Sequence, residues 1–194
     1  MTTTVPVDGI QFDFDDSWVV TKWDDLRAYR DGLEKLQGVL DGHHERTRAL
    51  DLVGVREGTP YLFEVKDFRG FEIENKSRQL EELPLEIALK VRDTIAGLVG
   101  TRSLGRASEA LELWIAALAA GTAVRVIAWI AEDGTRPGIS HQKRAARASE
   151  RLGRLKQRLA WLTPRVAVTD PLENPLAPGV TASSLHGAGV ARRP

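Results

Sequence analysis

Three charged side chains, Asp51, Glu64 and Lys66, stand inside otherwise apolar stretches, Ala49-Leu50-Asp51-Leu52-Val53-Gly54-Val55 and Tyr61-Leu62-Phe63-Glu64-Val65-Lys66-Asp67. Isolated charges in buried-type strands are costly unless they are paired or functional. Between the stretches lies Gly58-Thr59. It suits a two-residue type II′ hairpin turn, because Gly at the first central position permits a positive φ. Alternate residues of a strand share a face, so Glu64 and Lys66 point the same way. With that turn Glu57 pairs with Pro60, and Asp51 falls opposite Lys66, one diagonal step from Glu64. Cross-strand Cβ atoms lie about 5 Å apart and diagonal ones roughly 7 Å. Two carboxylates and an ammonium therefore converge on one face.

Two carboxylates at that spacing can hold a hard cation such as Mg²⁺ (or Mn²⁺), which keeps waters and takes one or two carboxylates plus a substrate phosphate. Such a cation lowers the pKa of a bound water and neutralises charge on the phosphate. Lys66 is placed to hold the attacking water or the developing charge; serving as the base itself requires a depressed pKa. The alternative is a half-exposed hairpin with a Lys66–Asp51 cross-strand salt bridge, against which the strongly apolar flanks weigh.

The elements that must position these residues follow from periodicity. Ile10–Phe14 and Trp18–Thr21 read as strands paired across Asp15-Asp16-Ser17. Leu26, Tyr29, Leu33, Leu36 and Leu40 recur at helical spacing and predict an amphipathic helix from Asp24 to about Leu40. Asp24 and Asp25 suit its N-terminus, and Gly42 closes it. Thr47–Glu57 and Pro60–Asp67 form the hairpin. Pro84 to Val99 predicts a helix with Pro at its first position, Gly100 at its end, and a buried stripe of Ile87, Val91, Ile95 and Leu98. Ala107–Ala120 predicts a helix apolar on most sides, hence sandwiched. Val124–Ala131 reads as a strand covered on both faces, Ser140–Leu162 as a third long helix, and Arg165–Thr169 as a last strand. The order implies an α/β fold, a mixed central β-sheet flanked by helices on its faces. The 194 residues suit a single domain, residues 1–170. Residues 171–194 are rich in Pro, Gly, Ala and Ser without periodicity and read as a flexible tail.

Asp51, twelve intervening residues, then Glu64-Val65-Lys66 on the next strand resembles the PD-(D/E)XK, restriction-endonuclease-like nuclease superfamily. The core of that superfamily is a helix, a three-strand meander, a helix and another strand. This order agrees with the chain from about Asp24 to Thr169, apart from an extra helix before Val124–Ala131 and a long basic helix after it. The motif's leading Pro is absent, since Leu50 precedes Asp51. The resemblance implies that Asp51 and Glu64 ligate Mg²⁺ or Mn²⁺, that the backbone carbonyl of Val65 joins them, and that Lys66 activates water. Many members add an acid from the first helix. Glu34 is the candidate, although it lies about 100° around from the apolar stripe. The implied function is a metal-dependent nuclease hydrolysing phosphodiester bonds in nucleic acid, DNA before RNA. One rival is a catalytically inactive protein of the same fold, acting as a nucleic-acid or protein interaction module. Another is an assembly protein using Ala107–Ala120 as a subunit interface, a feature that fits a homodimeric nuclease equally well. No separate recognition domain is visible, which leaves room for a partner protein that supplies specificity.

The formal net charge is zero, which argues against wholesale attraction to polyanions. The charge is nevertheless uneven. The first thirty-odd residues are acid-rich, and Lys143–Arg165 is basic with one acid, Glu150. Arg144, Arg147, Arg151, Arg154 and Arg158 form a stripe that could track phosphates; a solvated face paired with the acidic N-terminal region fits the neutral total better. Arg69, Lys76 and Arg78 follow the site and could contact a nucleic-acid strand, though an ordinary connection explains them equally well. The chain has no Cys, which excludes disulfides and thiolate metal sites. It has no GxxxxGK[ST] loop and no GxSxG elbow. The first residues lack the basic and apolar regions of a signal peptide, and Ala110–Ala131 is interrupted by Glu112, Gly121 and Arg125. A cytoplasmic protein without a membrane span is expected.

Overall fold

The computed structural model describes residues 2–31, 33–35, 37–40, 43–69, 82–132 and 141–185, without the side chains of 28, 37–40, 43–46, 141, 143 and 144. In chain order the elements are β1 (Thr3–Val7), β2 (Ile10–Phe14), β3 (Trp18–Lys22), α1 (Arg27–Arg30), a 3₁₀ turn (Leu33–Lys35), β4 (Gln37–Leu40) and β5 (His43–Arg46). They continue with β6 (Leu52–Arg56), β7 (Thr59–Asp67), α2 (Leu83–Ser103), α3 (Glu109–Ala119), β8 (Arg125–Ala131), α4 (His141–Leu159), β9 (Val166–Thr169) and β10 (Val180–Ser184).

The main sheet has the order β3-β6-β7-β8-β9. Its first three strands are antiparallel, and β7, β8 and β9 run parallel. A mixed α/β sheet is thus present, as the element order predicts. Strand alternation divides its side chains between two cores. Val53, Val55, Leu62, Val126, Ala128 and Ile130 meet the apolar sides of α2, α3 and α4. Leu52, Tyr61, Phe63, Val65, Ile127 and Trp129 face the other way, against the three-stranded sheet β1-β2-β10. Helices on both faces were expected; instead they cover one face and a small sheet covers the other. The substitute cover is aromatic. Phe12 of β2 stacks on Trp129 at 4.4 Å, and Trp129 stacks on Phe63 at 4.5 Å. Large rings bury as much apolar area as a helix stripe would.

Three other expectations are corrected. β2 and β3 form, but they do not pair with each other. Asp15 caps the intervening turn through Ser17 N at 2.9 Å, and the chain passes there from one sheet to the other. The helix expected from Asp24 to Leu40 shrinks to α1 and a 3₁₀ turn, after which β4 and β5 pair antiparallel. Gly32 and Gly38 each weaken a helix by about 1 kcal/mol, and Asp41-Gly42 is a strong two-residue hairpin signal. The stretch read as a tail supplies β10, whose residues pair with β2 from Val180↔Phe14 to Ser184↔Ile10.

At Gly97 helix α2 comes close to Trp23 and Leu33. A Cβ added at Gly97 would sit 2.7 Å from Cζ2 of the buried Trp23 ring, and would also press on Leu33. Gly→Ala inside a helix ordinarily stabilises by up to about 1 kcal/mol. Here Gly97→Ala should instead cost about 1–3 kcal/mol, because a rigid indole cannot yield as a chain end can. A urea-unfolding midpoint that rises would contradict this packing. Among the described residues no helix is long and apolar enough to cross a membrane.

Candidate active site

The β6–β7 hairpin closes one residue earlier than the sequence suggests. Arg56 pairs with Thr59, and the turn is Glu57-Gly58, both with positive φ (49° and 70°). Two positive central φ values match the type I′ turn that suits right-twisted strands. The register runs on to Leu52↔Phe63, so its next step sets Asp51 opposite Glu64 rather than Lys66. The slip is two residues, which preserves the face; a slip of one would have reversed it.

Asp51 is held from three sides. Its carbonyl accepts Trp23 N at 2.9 Å. Its neighbours are pinned to α2, Leu50 N donating to Thr94 Oγ1 at 3.1 Å and Arg48 N to Asp93 Oδ2 at 3.0 Å. Its own Oδ2 accepts Val65 N at 2.6 Å, just beyond the last paired residue of β6. Residues that exchange ladder bonds send N–H and C=O to the same edge of the strand, so Val65 also presents its carbonyl on the Asp51 side.

Glu64 is wholly buried on the helix-facing side of the sheet. Two ammonium groups converge on its Oε1, Lys66 Nζ from the same strand and Lys90 Nζ from α2, each at 2.7 Å. Glu86, one turn before Lys90, lies 3.9 Å from Lys66 Nζ. The second oxygen, Oε2, is buried and has no hydrogen-bond partner among the described residues. Burial, reinforced by the Asp51 charge, pushes the Glu64 carboxyl up to about 7 against the opposing pull of Lys90 and Lys66. For Lys66, burial alone acts downward, but Glu64, Asp51 and Glu86 outweigh it and hold the ammonium above its ordinary pKa. That direction is opposite to the one a general base needs. Lys66 is a charged donor here, suited to holding an anion or a water.

Asp51 and Glu64 are oxygen donors of the kind a hard cation takes, and the unmatched Oε2 fits such a group. Among the described residues no set of three or more His, Cys, Asp or Glu side chains could hold a metal ion. The expected further acid, Glu34, is exposed on the 3₁₀ turn. A further acid, Asp24, lies close enough to Asp51 to feel its charge. Burial raises its pKa against the pull of Lys22, and Asp51 raises it further; its Oδ1 is buried without a hydrogen-bond partner among the described residues, the Lys22 ammonium standing 4.0 Å away. Sequence reasoning missed Asp24, Glu86 and Lys90. Glu86, Lys90, Asp93 and Thr94 share one side of α2, and that spacing, i, i+4, i+7, i+8, was the available signal. If a cation sits on Glu64, protons compete with it below about pH 7. Mg²⁺ affinity measured calorimetrically should fall by up to about tenfold per pH unit below that point; a flat profile from about pH 5.5 to 8 would remove Glu64 from the ligand set.

The residues expected to contact nucleic acid divide differently. Arg69 is committed to Asp67 (2.8 and 2.6 Å) and to Ser184 Oγ (2.8 Å), which ties the end of β7 to β10. Arg151 is not on a solvated stripe; it is 4 % exposed and ion-paired with Glu132. Arg154 pairs with Glu150 at 2.8 Å, and Arg147 is half-buried on α4. Lys76, Arg78 and the side chain of Arg144 lie outside the described residues.

No family model matches the chain, and no solved structure matches it. The chain is similar to a cysteine–tRNA ligase of Neisseria meningitidis serogroup A, 26 % identical over 119 residues. The match takes in 52 % of this chain and 17 % of that enzyme's length. So small a share assigns no family to the chain.

Proposed function

We propose that the protein is a divalent-metal-dependent phosphodiesterase with a restriction-endonuclease-like core, a nuclease acting on nucleic acid. The observation that carries this reading is the pairing of Asp51 with a fully buried Glu64 whose Oε2 has no donor among the described residues, beneath two ammonium groups. A buried carboxylate oxygen left unmatched is costly, and a divalent cation shared with Asp51 is the partner that its chemistry asks for. Asp51, Glu64 and the Val65 carbonyl would hold Mg²⁺ or Mn²⁺, which when bound lowers the pKa of a coordinated water and neutralises phosphate charge. Lys66 orients the attacking water and meets charge that develops on the phosphate. Lys90 holds Glu64 in place from α2. The DNA-first expectation comes from the resemblance, while the similar ligase is by name an enzyme of tRNA, so RNA belongs beside DNA among the substrates.

The test is cleavage of supercoiled plasmid, linear duplex, single-stranded DNA and RNA with Mg²⁺ or Mn²⁺, against EDTA and Lys66→Ala. Cutting that disappears in both controls is expected. Well-folded protein that cuts none of the four would favour the interaction-module reading.

A further inference from the structure

Glu64 meets its two lysines unevenly. Lys66 Nζ and Lys90 Nζ each stand 2.7 Å from Oε1, one from β7 and one from α2. Oε2 is buried and has no hydrogen-bond partner among the described residues. A carboxylate oxygen offers two lone-pair positions. Two ammonium groups therefore use up those of Oε1, and those of Oε2 stay open. Both ammonium groups are tied to the fold: Glu86 lies 3.9 Å from Lys66 Nζ, and the Lys90 side chain is mostly buried on α2. Turning the carboxylate over would only exchange the two oxygens. One oxygen of Asp51 is engaged as well, Oδ2 accepting Val65 N at 2.6 Å.

This division decides how Glu64 can hold a cation. Bidentate ligation needs a lone pair from each oxygen; monodentate ligation needs one oxygen only. Ca²⁺ collects roughly six to eight oxygens and can take two from one carboxylate. Mg²⁺ is smaller, takes single oxygens in a strict octahedron and keeps several waters. Ligand number is part of what separates the two cations. Covering Oε1 therefore denies Ca²⁺ a ligand and denies Mg²⁺ none.

We propose that Lys90 is a selectivity residue of the cation site: with Lys66 it masks Glu64 Oε1, confines the carboxylate to one-oxygen ligation through Oε2, and so favours Mg²⁺ or Mn²⁺ over Ca²⁺. Lys90 acts through Glu64 and is a positioning residue, but what it positions is the choice of cation as well as the side chain. The inference rests on Asp51 and Glu64 being the cation site of the proposed phosphodiesterase. Its readout is cation binding, which does not require cleavage.

The test titrates Mg²⁺ and Ca²⁺ calorimetrically into the full chain and into Lys90→Met, which keeps a long, helix-compatible side chain without its charge. Loss of a nearby positive charge strengthens both cations and proton competition weakens both, so these effects cancel in the ratio of the two dissociation constants. The ratio of the Ca²⁺ Kd to the Mg²⁺ Kd is expected to fall by about fivefold or more in Lys90→Met, because Ca²⁺ alone gains a ligand. Lys66→Met uncovers the same oxygen from β7 and serves if the first variant does not fold. A folded variant in which the ratio is unchanged, both affinities moving alike, overturns the proposal and leaves Lys90 a structural partner. Folded wild type that binds neither cation overturns it too, and removes the metal site with it. A shifted ratio in a protein that cuts no nucleic acid keeps the selectivity and removes the nuclease.

Discussion

Lys66→Ala should lower the metal-dependent rate of phosphodiester cleavage by about 10²- to 10³-fold, the usual loss when one charged donor is removed from a developing anion. The Lys66 ammonium is 2.7 Å from Glu64 Oε1 and mostly shielded from water, and its neighbours hold it protonated. Its contribution is therefore charge and direction, which Ala cannot supply. The substitution does not leave Glu64 without a cation, because Lys90 Nζ remains 2.7 Å from the same oxygen. Folding should survive, so initial rates can be compared alongside circular dichroism of the two proteins. Lys66→Arg should recover part of the rate, since positive charge is kept at altered reach. A Lys66→Ala protein that cuts at the wild-type rate would exclude this site as the source of any activity observed.

Glu64→Gln separates a functional site from a structural salt bridge by the sign of its effect on stability. The Glu64 carboxyl titrates near 7 in the fold, against 4.5 ordinarily, because burial and Asp51 cost the anion more than Lys90 and Lys66 return. The folded protein thus binds this proton more tightly than the unfolded chain. Stability from the neutral carboxyl is fully present below about pH 4.5 and is lost as pH rises to about 7. Gln mimics the neutral form and escapes that loss. In EDTA, Glu64→Gln should match the wild type near pH 4.5 and exceed it above pH 7 by about 3 kcal/mol, while metal-dependent cleavage disappears. Urea-unfolding midpoints across that pH range measure the difference. A site kept at a cost to stability is the usual mark of function. If Glu64→Gln instead unfolds at lower urea at neutral pH, the lysines are structural partners, and the interaction-module reading gains.

The pair at the centre of both experiments was legible because strand geometry is local. Asp51, Glu64 and Lys66 lie on one hairpin, and alternation alone puts Glu64 and Lys66 on one face. The turn was misplaced at Gly58-Thr59, yet the true register differs by an even number of residues and keeps Asp51 on that face. The first helix was overread for a related reason. Leu26, Tyr29 and Leu33 do pack against the core, but the pattern continued into a segment where hairpin chemistry prevails over periodicity. Asp24, Glu86 and Lys90 carry no local sign of their destination, and Arg151 looks like one more residue of a solvated stripe.

The sequence by itself determined the elements of the mixed sheet, the three long helices and the candidate carboxylate pair, since each depends on contacts within a turn or a hairpin. Only the tertiary structure decided the rest. It brought Lys90 over Glu64, buried Arg151 against Glu132, and joined β10 to β2 across most of the chain. The physical reason is that burial and pairing of charges depend on which element lands on which face. That choice is made by whole apolar surfaces, the aromatic side against β2 and the aliphatic side against α2, and no single short pattern encodes it.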